Sequence, residues 1–220
     1  KSSSTRAHPD SHYPMAILIY GEQQAGEIKK TTLEAASYAR KLADQLGGHD
    51  VHALVIGETN DGELDKLGQF GVNKVHTLVH DKLDRFHGMA YTAAMKAAAE
   101  AVEAQAVVIA QTYDGRVLAS RLSPQLEAAL FSGVHELVQQ EGGKWKAKRV
   151  VYSNKAIQTI TSEQEKLILT LKGNAMPPEE NAQSMETASF DWTPDDSLFV
   201  AESVEMNRQT DKISLVDAEI

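Results

Sequence analysis

Five of the chain's eight histidines invite a metal: His49 and His52, His76 and His80, and His87. Two imidazoles grip one ion from a helix when they stand a turn apart on one face, as in His-x-x-x-His. His49 and His52 straddle the start of one apolar run, and His76 and His80 straddle the end of another. They therefore read as surface or loop histidines, and no metal site is expected. The chain has no cysteine, so disulfides, thiolate catalysis and Cys-based metal sites are excluded. Serine nucleophiles on α/β sheets sit in a Gly-x-Ser-x-Gly turn, a frame that Ser132-Gly133 and Ser153-Asn154 lack. Among the carboxylates no acid–base pair stands out, and whether Asp114 and Glu136 meet across a sheet end is left open by the sequence. Gly21 and Gly26 bracket a loop without Gly-x-Gly-x-x-Gly or a Gly-Lys-Ser/Thr ending, so neither nucleotide fingerprint is matched. No catalytic residue emerges. The charges that hold attention are Arg116, Arg121 and Lys155, read either as solvated cations, as a basic rim at the carboxyl ends of parallel strands, or as a hold on the antiparallel segment or a partner domain.

The elements that place them centre on 106–137. Ala-Val-Val-Ile-Ala (106–110) is an apolar strand, and the polar turn Gln111 to Arg116 leads into a Leu- and Ala-rich segment up to Leu130. A strand, a Gly-containing turn and a helix make the repeating unit of a parallel sheet. Gly115 is read as supplying backbone angles closed to other residues. Arg116 falls in the helix's first turn, where the dipole disfavours a cation, so a partner for it is expected elsewhere. Upstream, Met15–Tyr20 is a continuous apolar run, the pattern of a strand buried on both faces. Thr32–Leu46 has the apolar spacing of an amphipathic helix stopped by Gly47-Gly48. Val51–Ile56 and Lys74–Val79 read as strands, Leu64–Phe70 as a short helix and Phe86–Val102 as an Ala-rich one. Pro124 should end or kink the helix after Arg116. Downstream the rhythm changes: 134–140, 144–152, 156–161 and 166–172 are short segments with no helix between them, an antiparallel appendix to the parallel sheet. The stretch 174–194, with Pro177-Pro178, reads as a loop or linker, 197–206 as a last strand, and 210–220 as an exit segment.

Composition sets the outer limits. A chain of 220 residues with formal charge −9 fits one large domain and is a poor match for nucleic acid, which needs clustered Lys and Arg. No run of about 18 apolar residues is present, so no membrane-spanning helix is expected. The first fourteen residues are polar with no apolar h-region, so they are not a signal peptide. They read as a disordered or non-native extension before Met15.

The stretch Gly115-Arg116-Val117-Leu118-Ala119-Ser120-Arg121-Leu122, followed by the apolar-Ser-Gly-Val of Phe131–Val134, resembles the N-terminal domain of electron transfer flavoprotein alpha subunits. That family has Gly-Arg-Asp/Asn-Leu-x-Pro-Arg-Leu, then a Leu-rich helix and Ser-Asp-Val. Val117 and Ser120 depart from it, as does Asn154 in Val151–Ala156, where the family has Gly-Lys-Ala. Ala39–Ala43, Gly71–Val75 and the closing Ile213–Ile220 fit as well. The resemblance implies a Rossmann-like three-layer α/β fold of the adenine-nucleotide alpha-hydrolase type, with a mostly parallel sheet and antiparallel strands toward the C-terminal part. It assigns 15–206 to the alpha N-terminal domain and 207–220 to a linker toward an absent FAD domain. It further implies a scaffold and heterodimerisation role, not an enzyme. FAD would be carried by the full heterodimer and not by this part, with a beta subunit as partner. Donor dehydrogenases such as acyl-CoA dehydrogenases and a quinone oxidoreductase would be met through the complex. The compartment implied is the cytoplasm in a bacterium or the mitochondrial matrix in a eukaryote. Asp114, Gly115, Arg116, Arg121 and Lys155 become the interface or structural candidates. A stand-alone small-nucleotide-binding protein of the universal-stress type shares the layout and stays open, with the loop after Tyr20 as its phosphate site.

Overall fold

The computed structural model describes residues 16–200. Met15, the extension before it and everything from 201 on, including the exit segment and the expected linker 207–220, lie outside the described residues. In chain order the elements are β1 (Ala16–Gly21), β2 (Gln23–Gln24), β3 (Glu27–Ile28), α1 (Lys30–Gln45), β4 (Val51–Ile56), α2 (Glu63–Gln69), β5 (Lys74–Leu78), α3 (Gly88–Ala101) and β6 (Ala104–Ala110). They continue with α4 (Tyr113–Leu126), β7 (Ala129–Val134), β8 (Gln139–Glu141), β9 (Lys144–Val151), β10 (Ala156–Ser162), β11 (Leu167–Leu171) and β12 (Glu186–Ser189).

Alternation along β1 decides the layering. Ile17 and Ile19 join one buried cluster with Ala35, Tyr38 and Leu42 of α1 and Leu67 of α2. Leu18 and Tyr20 join the other, with Tyr91 and Met95 of α3 and Leu118 and Leu122 of α4. Successive strand side chains point to opposite faces, so a strand with no polar residue demands a cover on both sides. The result is a three-layer α/β sandwich around one large sheet, ordered β10-β9-β7-β11-β6-β1-β4-β5-β12, with β8 paired to β9. Strands β7, β11, β6, β1, β4, β5 and β12 run parallel, while β9 runs antiparallel to each of its neighbours β7, β8 and β10.

Helix α1 ends as its sequence dictates. Gly47 and Gly48 take positive φ (112° and 85°), and their N–H groups donate back to Asp44 and Ala43 carbonyls, closing the helix with a Schellman-type pair. Gly115 serves differently from expectation: it is helical, with no positive φ. A Cβ there would lie 2.0 Å from the Ala110 carbonyl oxygen and 2.9 Å from Ile109 Cγ2. What glycine supplies is close approach of α4 to the end of β6.

Several downstream expectations are corrected. The segment 166–172 is not antiparallel: β11 lies inside the parallel sheet between β6 and β7, and all five of its residues are buried. The crossover from β7 to β11 is made by the β8–β9–β10 meander in place of a helix, which satisfies the length a parallel return needs but hides it from a helix-seeking reading. The strand expected at 134–140 is split between the end of β7 and β8. Phe86 and His87 precede α3, which begins at Gly88. The loop after Tyr20 holds the β2–β3 hairpin. The stretch 174–194 is no free linker, since β12 pairs parallel with β5 and Asn181 and Gln183 donate their N–H groups to Gln69 and Gly68 carbonyls. Of the last strand expected at 197–206, the described part opens in a 3₁₀ turn at 196–198, and 201–206 lies outside the described residues. A bulge at Gly133 (φ 70°) offsets β7 against β11, and the buried Thr170 hydroxyl accepts the Gly133 N–H at 2.8 Å.

Substituting Gly115→Ala should force α4 away from β6 and cost about 3 kcal/mol, the upper end for overpacking. Urea denaturation would show a lowered midpoint with an unchanged slope. A midpoint equal to that of the parent chain would mean that the approach is not a constraint.

Candidate functional site

Strand order reverses at β1. From β1 the chain moves to β4 and β5 on one side and then returns to β6 on the other. At such a switch the loops after two neighbouring strands part, leaving a crevice at the carboxyl ends where open α/β sheets take ligands. Here the crevice lies between the loop after β1 and the start of α4.

A carboxylate fills it. Glu22, only 3 % exposed, places Oε1 2.6 Å from Lys29 Nζ. Its Oε2 accepts the Thr112 hydroxyl at 2.6 Å. Thr112 in turn is the N-cap of α4, its Oγ1 accepting the Gly115 N–H at 3.0 Å. The β2–β3 hairpin brings Lys29 back to this point, where its N–H donates to the Glu22 carbonyl at 3.2 Å. The Thr32 hydroxyl donates to the same carbonyl at 2.8 Å. Glu63 Oε2 holds the returning arm by accepting the Ile28 N–H at 2.8 Å. The Lys66 ammonium bound to Glu63, helped by that N–H, lowers the Glu63 carboxyl from its ordinary range. One buried side chain thus ties the first β–α unit to the fourth.

The surroundings are acidic. Asp114 beside it is raised from the usual carboxylate range by burial and by the Glu22 charge, with Lys29 working the other way. Tyr20 and Tyr91 meet edge to face with ring centroids 6.4 Å apart, and Tyr91 donates its hydroxyl to the Leu83 carbonyl at 2.9 Å. Both phenols are pushed up, first by burial and then by neighbouring charge: Tyr20 by Tyr91, Glu22 and Asp114, and Tyr91 by Asp114 and Asp84. The crevice thus presents a buried Glu22–Lys29 ion pair and the Asp114 carboxylate where a phosphate cradle would offer open N–H groups.

Of the sequence candidates, Asp114 and Gly115 lie at this crevice, Asp114 next to Glu22. Glu136 is elsewhere, paired with His135 (3.6 Å) and Lys148 (3.8 Å). Arg116 and Arg121 are exposed on α4. Arg116 Nε donates to the Thr112 carbonyl at 3.3 Å, and no carboxylate pairs with either arginine among the described residues. Lys155 lies in the β9–β10 turn, with β7 and β11 standing between β9 and β6, so the three cations form no single rim. Asn154, where the resemblance has glycine, sits at φ 65°, a conformation asparagine tolerates better than most residues. Glu22, Lys29 and Thr112 escaped the sequence reading, which searched that loop for glycines. The available signal was a lone acid directly after an all-apolar strand.

Two histidines are also relocated. His52 on β4 and His76 on β5 are partly buried strand residues, not surface or loop ones. Nδ1 of His52 lies 3.0 Å from Nε2 of His76, their rings stack at 5.2 Å, and Phe190 meets His76 edge to face at 6.1 Å. Burial lowers His76 to about 4, helped by His52 and Lys74. Burial also lowers His52, with Lys74 adding to the shift and Asp50 opposing it. His80 and His87 occupy helix-start positions. No group of three or more potential metal ligands occurs among the described residues.

Comparison with known proteins matches residues 17–195 to the family described as electron transfer flavoprotein domain. The chain belongs to that family. It is similar to the electron transfer flavoprotein subunit alpha of Syntrophomonas wolfei, 30 % identical over 154 residues, covering 70 % of this chain and 47 % of the relative. It is also similar to the subunit alpha of Bacillus subtilis, 26 % identical over 206 residues, covering 93 % and 62 %. A third relative is the lactate dehydrogenase (NAD(+),ferredoxin) subunit LctC of Acetobacterium woodii, 26 % identical over 147 residues, covering 67 % and 35 %. The chain therefore spans roughly half the length of these relatives. The three-layer, mostly parallel architecture agrees with the electron transfer flavoprotein resemblance. No helix among the described residues is long and apolar enough to cross a membrane.

Two outcomes follow for the charges. Lys29→Met leaves the Glu22 carboxylate buried without its cation and should cost about 2–3 kcal/mol, less than the ~3–5 of a fully enclosed pair because Lys29 is partly exposed. Adding Glu22→Gln should recover much of that loss in thermal melts. For the histidine pair, the folded state binds its proton less readily than the unfolded chain. Its contribution is therefore complete above pH 6.5 and is lost as pH falls toward about 4. His76→Gln should flatten the stability profile in that window, and an unchanged profile would assign the slope to other groups.

Proposed function

We propose that this chain is the scaffold and heterodimerisation portion of an electron transfer flavoprotein of the alpha type. In this reading it pairs with a beta-type subunit and carries no catalytic residue of its own. The complete heterodimer holds one FAD and relays electrons from donor dehydrogenases, such as acyl-CoA dehydrogenases, to a quinone oxidoreductase. The observation that carries the reading is the crevice at β1 and β6. The place where a nucleotide-binding relative of this architecture would hold phosphate is filled by Glu22, Lys29 and Thr112, which supports a framework role for these layers. Membership in the flavoprotein family, with relatives named as alpha subunits, supports the redox context. Asp114 and Gly115 then act in building the framework, while Arg116 and Arg121 on α4 and, separately, Lys155 in the β9–β10 turn are available to a partner.

Calorimetric titration of the purified 220-residue chain with FAD, AMP and ATP should give no saturable heat. Mixing it with its beta-type subunit should give a one-to-one complex by light scattering. Saturable AMP or ATP binding would favour the universal-stress-type alternative, and tight FAD binding by the chain alone would place the cofactor where this reading does not.

A further inference from the structure

The two ends of the large sheet are finished differently. At one end β12 is four residues long, opens on Glu186 and has the Lys74–Glu186 ion pair beside it (3.8 Å). At the other, β10 runs for seven residues, Ala-Ile-Gln-Thr-Ile-Thr-Ser, with no charge, proline or glycine. Among the described residues β10 has a strand on one side only, and its register with that strand, β9, is unbroken from Ala156 to Ser162. The N–H and C=O groups on its outer side therefore stand in a row, ready to pair. Proteins ordinarily blunt such an edge with a short strand, a lysine or a proline. β10 has none of these, and Ile157 on it is 66 % exposed.

The sequence of the edge indicates what covers it. Alternate residues of a strand share a face, and the stripe along β10 and one residue beyond each end reads Lys155, Ile157, Thr159, Thr161, Glu163. Turned end for end, this stripe matches itself. A two-fold axis at Thr159 sets Lys155 against Glu163, Ile157 against Thr161 and Thr159 against its own copy. In an antiparallel pair these residues lie directly opposite one another, and opposite charges, threonine pairs and β-branched pairs are the favoured combinations there. Lys155 reaches no carboxylate of its own chain among the described residues. Glu163 already holds Lys144, and a carboxylate has acceptor sites for a second ammonium. We propose that β10 pairs antiparallel with β10 of a second copy of this chain, joining two sheets across a two-fold axis. Such a contact is closed, since each copy uses its edge on the other. It is one strand wide, so the dimer forms only as concentration rises. The pairing concerns the chain by itself and does not draw on the function proposed above.

Light scattering over a concentration series of the 220-residue chain provides the test. The parent chain should pass from monomer to dimer. Thr159→Lys sets two lysines face to face and Thr159→Glu sets two carboxylates face to face, so each should raise the dissociation constant at least about tenfold. An equal mixture of the two variants should recover a dimer containing one chain of each. Lys155→Glu should likewise weaken the dimer, and Lys155→Glu combined with Glu163→Lys should restore it. Thr159, Lys155 and Glu163 are exposed, so melting temperatures equal to the parent's would show that the variants fold. A parent chain that stays monomeric at its highest soluble concentration overturns the proposal. So does a dimer indifferent to both Thr159 variants, which would lie on another surface, or a mixture that fails to recover, which would mean that the two copies of residue 159 are not opposed. If the parent chain is monomeric alone and Thr159→Lys instead weakens its complex with a beta-type subunit, the edge has a different occupant and the second copy is overturned.

Discussion

A buried carboxylate must be answered or neutralised, and the answer to Glu22 shapes much of this molecule. Removing a charge from water is tolerable only when a counter-charge and hydrogen-bond donors replace the solvent. Lys29 supplies the first and Thr112 the second. To deliver Lys29, the chain must turn back on itself through β2 and β3. To deliver Thr112, α4 must begin hard against the end of β6, which in turn requires that residue 115 have no side chain. The two β–α units on either side of the strand-order reversal are thereby locked together where related architectures leave a gap for a ligand.

The layers themselves were legible because burial writes directly into sequence. β1, β6 and α1 were visible as a continuous apolar run, another such run, and a helical stripe closed by two glycines. Strand β11 was equally visible as an apolar segment, yet its direction was not, because orientation depends on what happens between strands. A helix announces a parallel return, whereas a meander such as β8–β9–β10 resembles a series of hairpins until β11 is seen to insert beside β6. β12 was hidden for a related reason: Glu-Thr-Ala-Ser at a sheet edge buries little, so its pairing with β5 leaves no hydrophobic trace.

The site was less legible than the fold. Sequence motifs for phosphate loops, nucleophiles and metals describe how a ligand is held, and this crevice is occupied by the chain itself. The family signature around Gly115 and Arg116 located the right helix but not the ion pair that settles the crevice. Glu22 and Thr112 are far apart in sequence, and a single acid meeting a single hydroxyl has no spacing rule. His52 and His76 illustrate the same limit, since neighbouring strands brought together two residues that periodicity had left apart.

The position of β11 has a consequence for how the chain assembles during synthesis. Strands β6 and β7 do not pair with one another; each pairs with β11, which leaves the ribosome only after the whole β9–β10 hairpin. Until Leu171 emerges, the nascent chain holds two halves with raw edges facing a missing seam. The last long apolar strand is therefore the keystone: it joins the β1-centred half to the antiparallel half in one step, so cooperativity across the sheet cannot precede it.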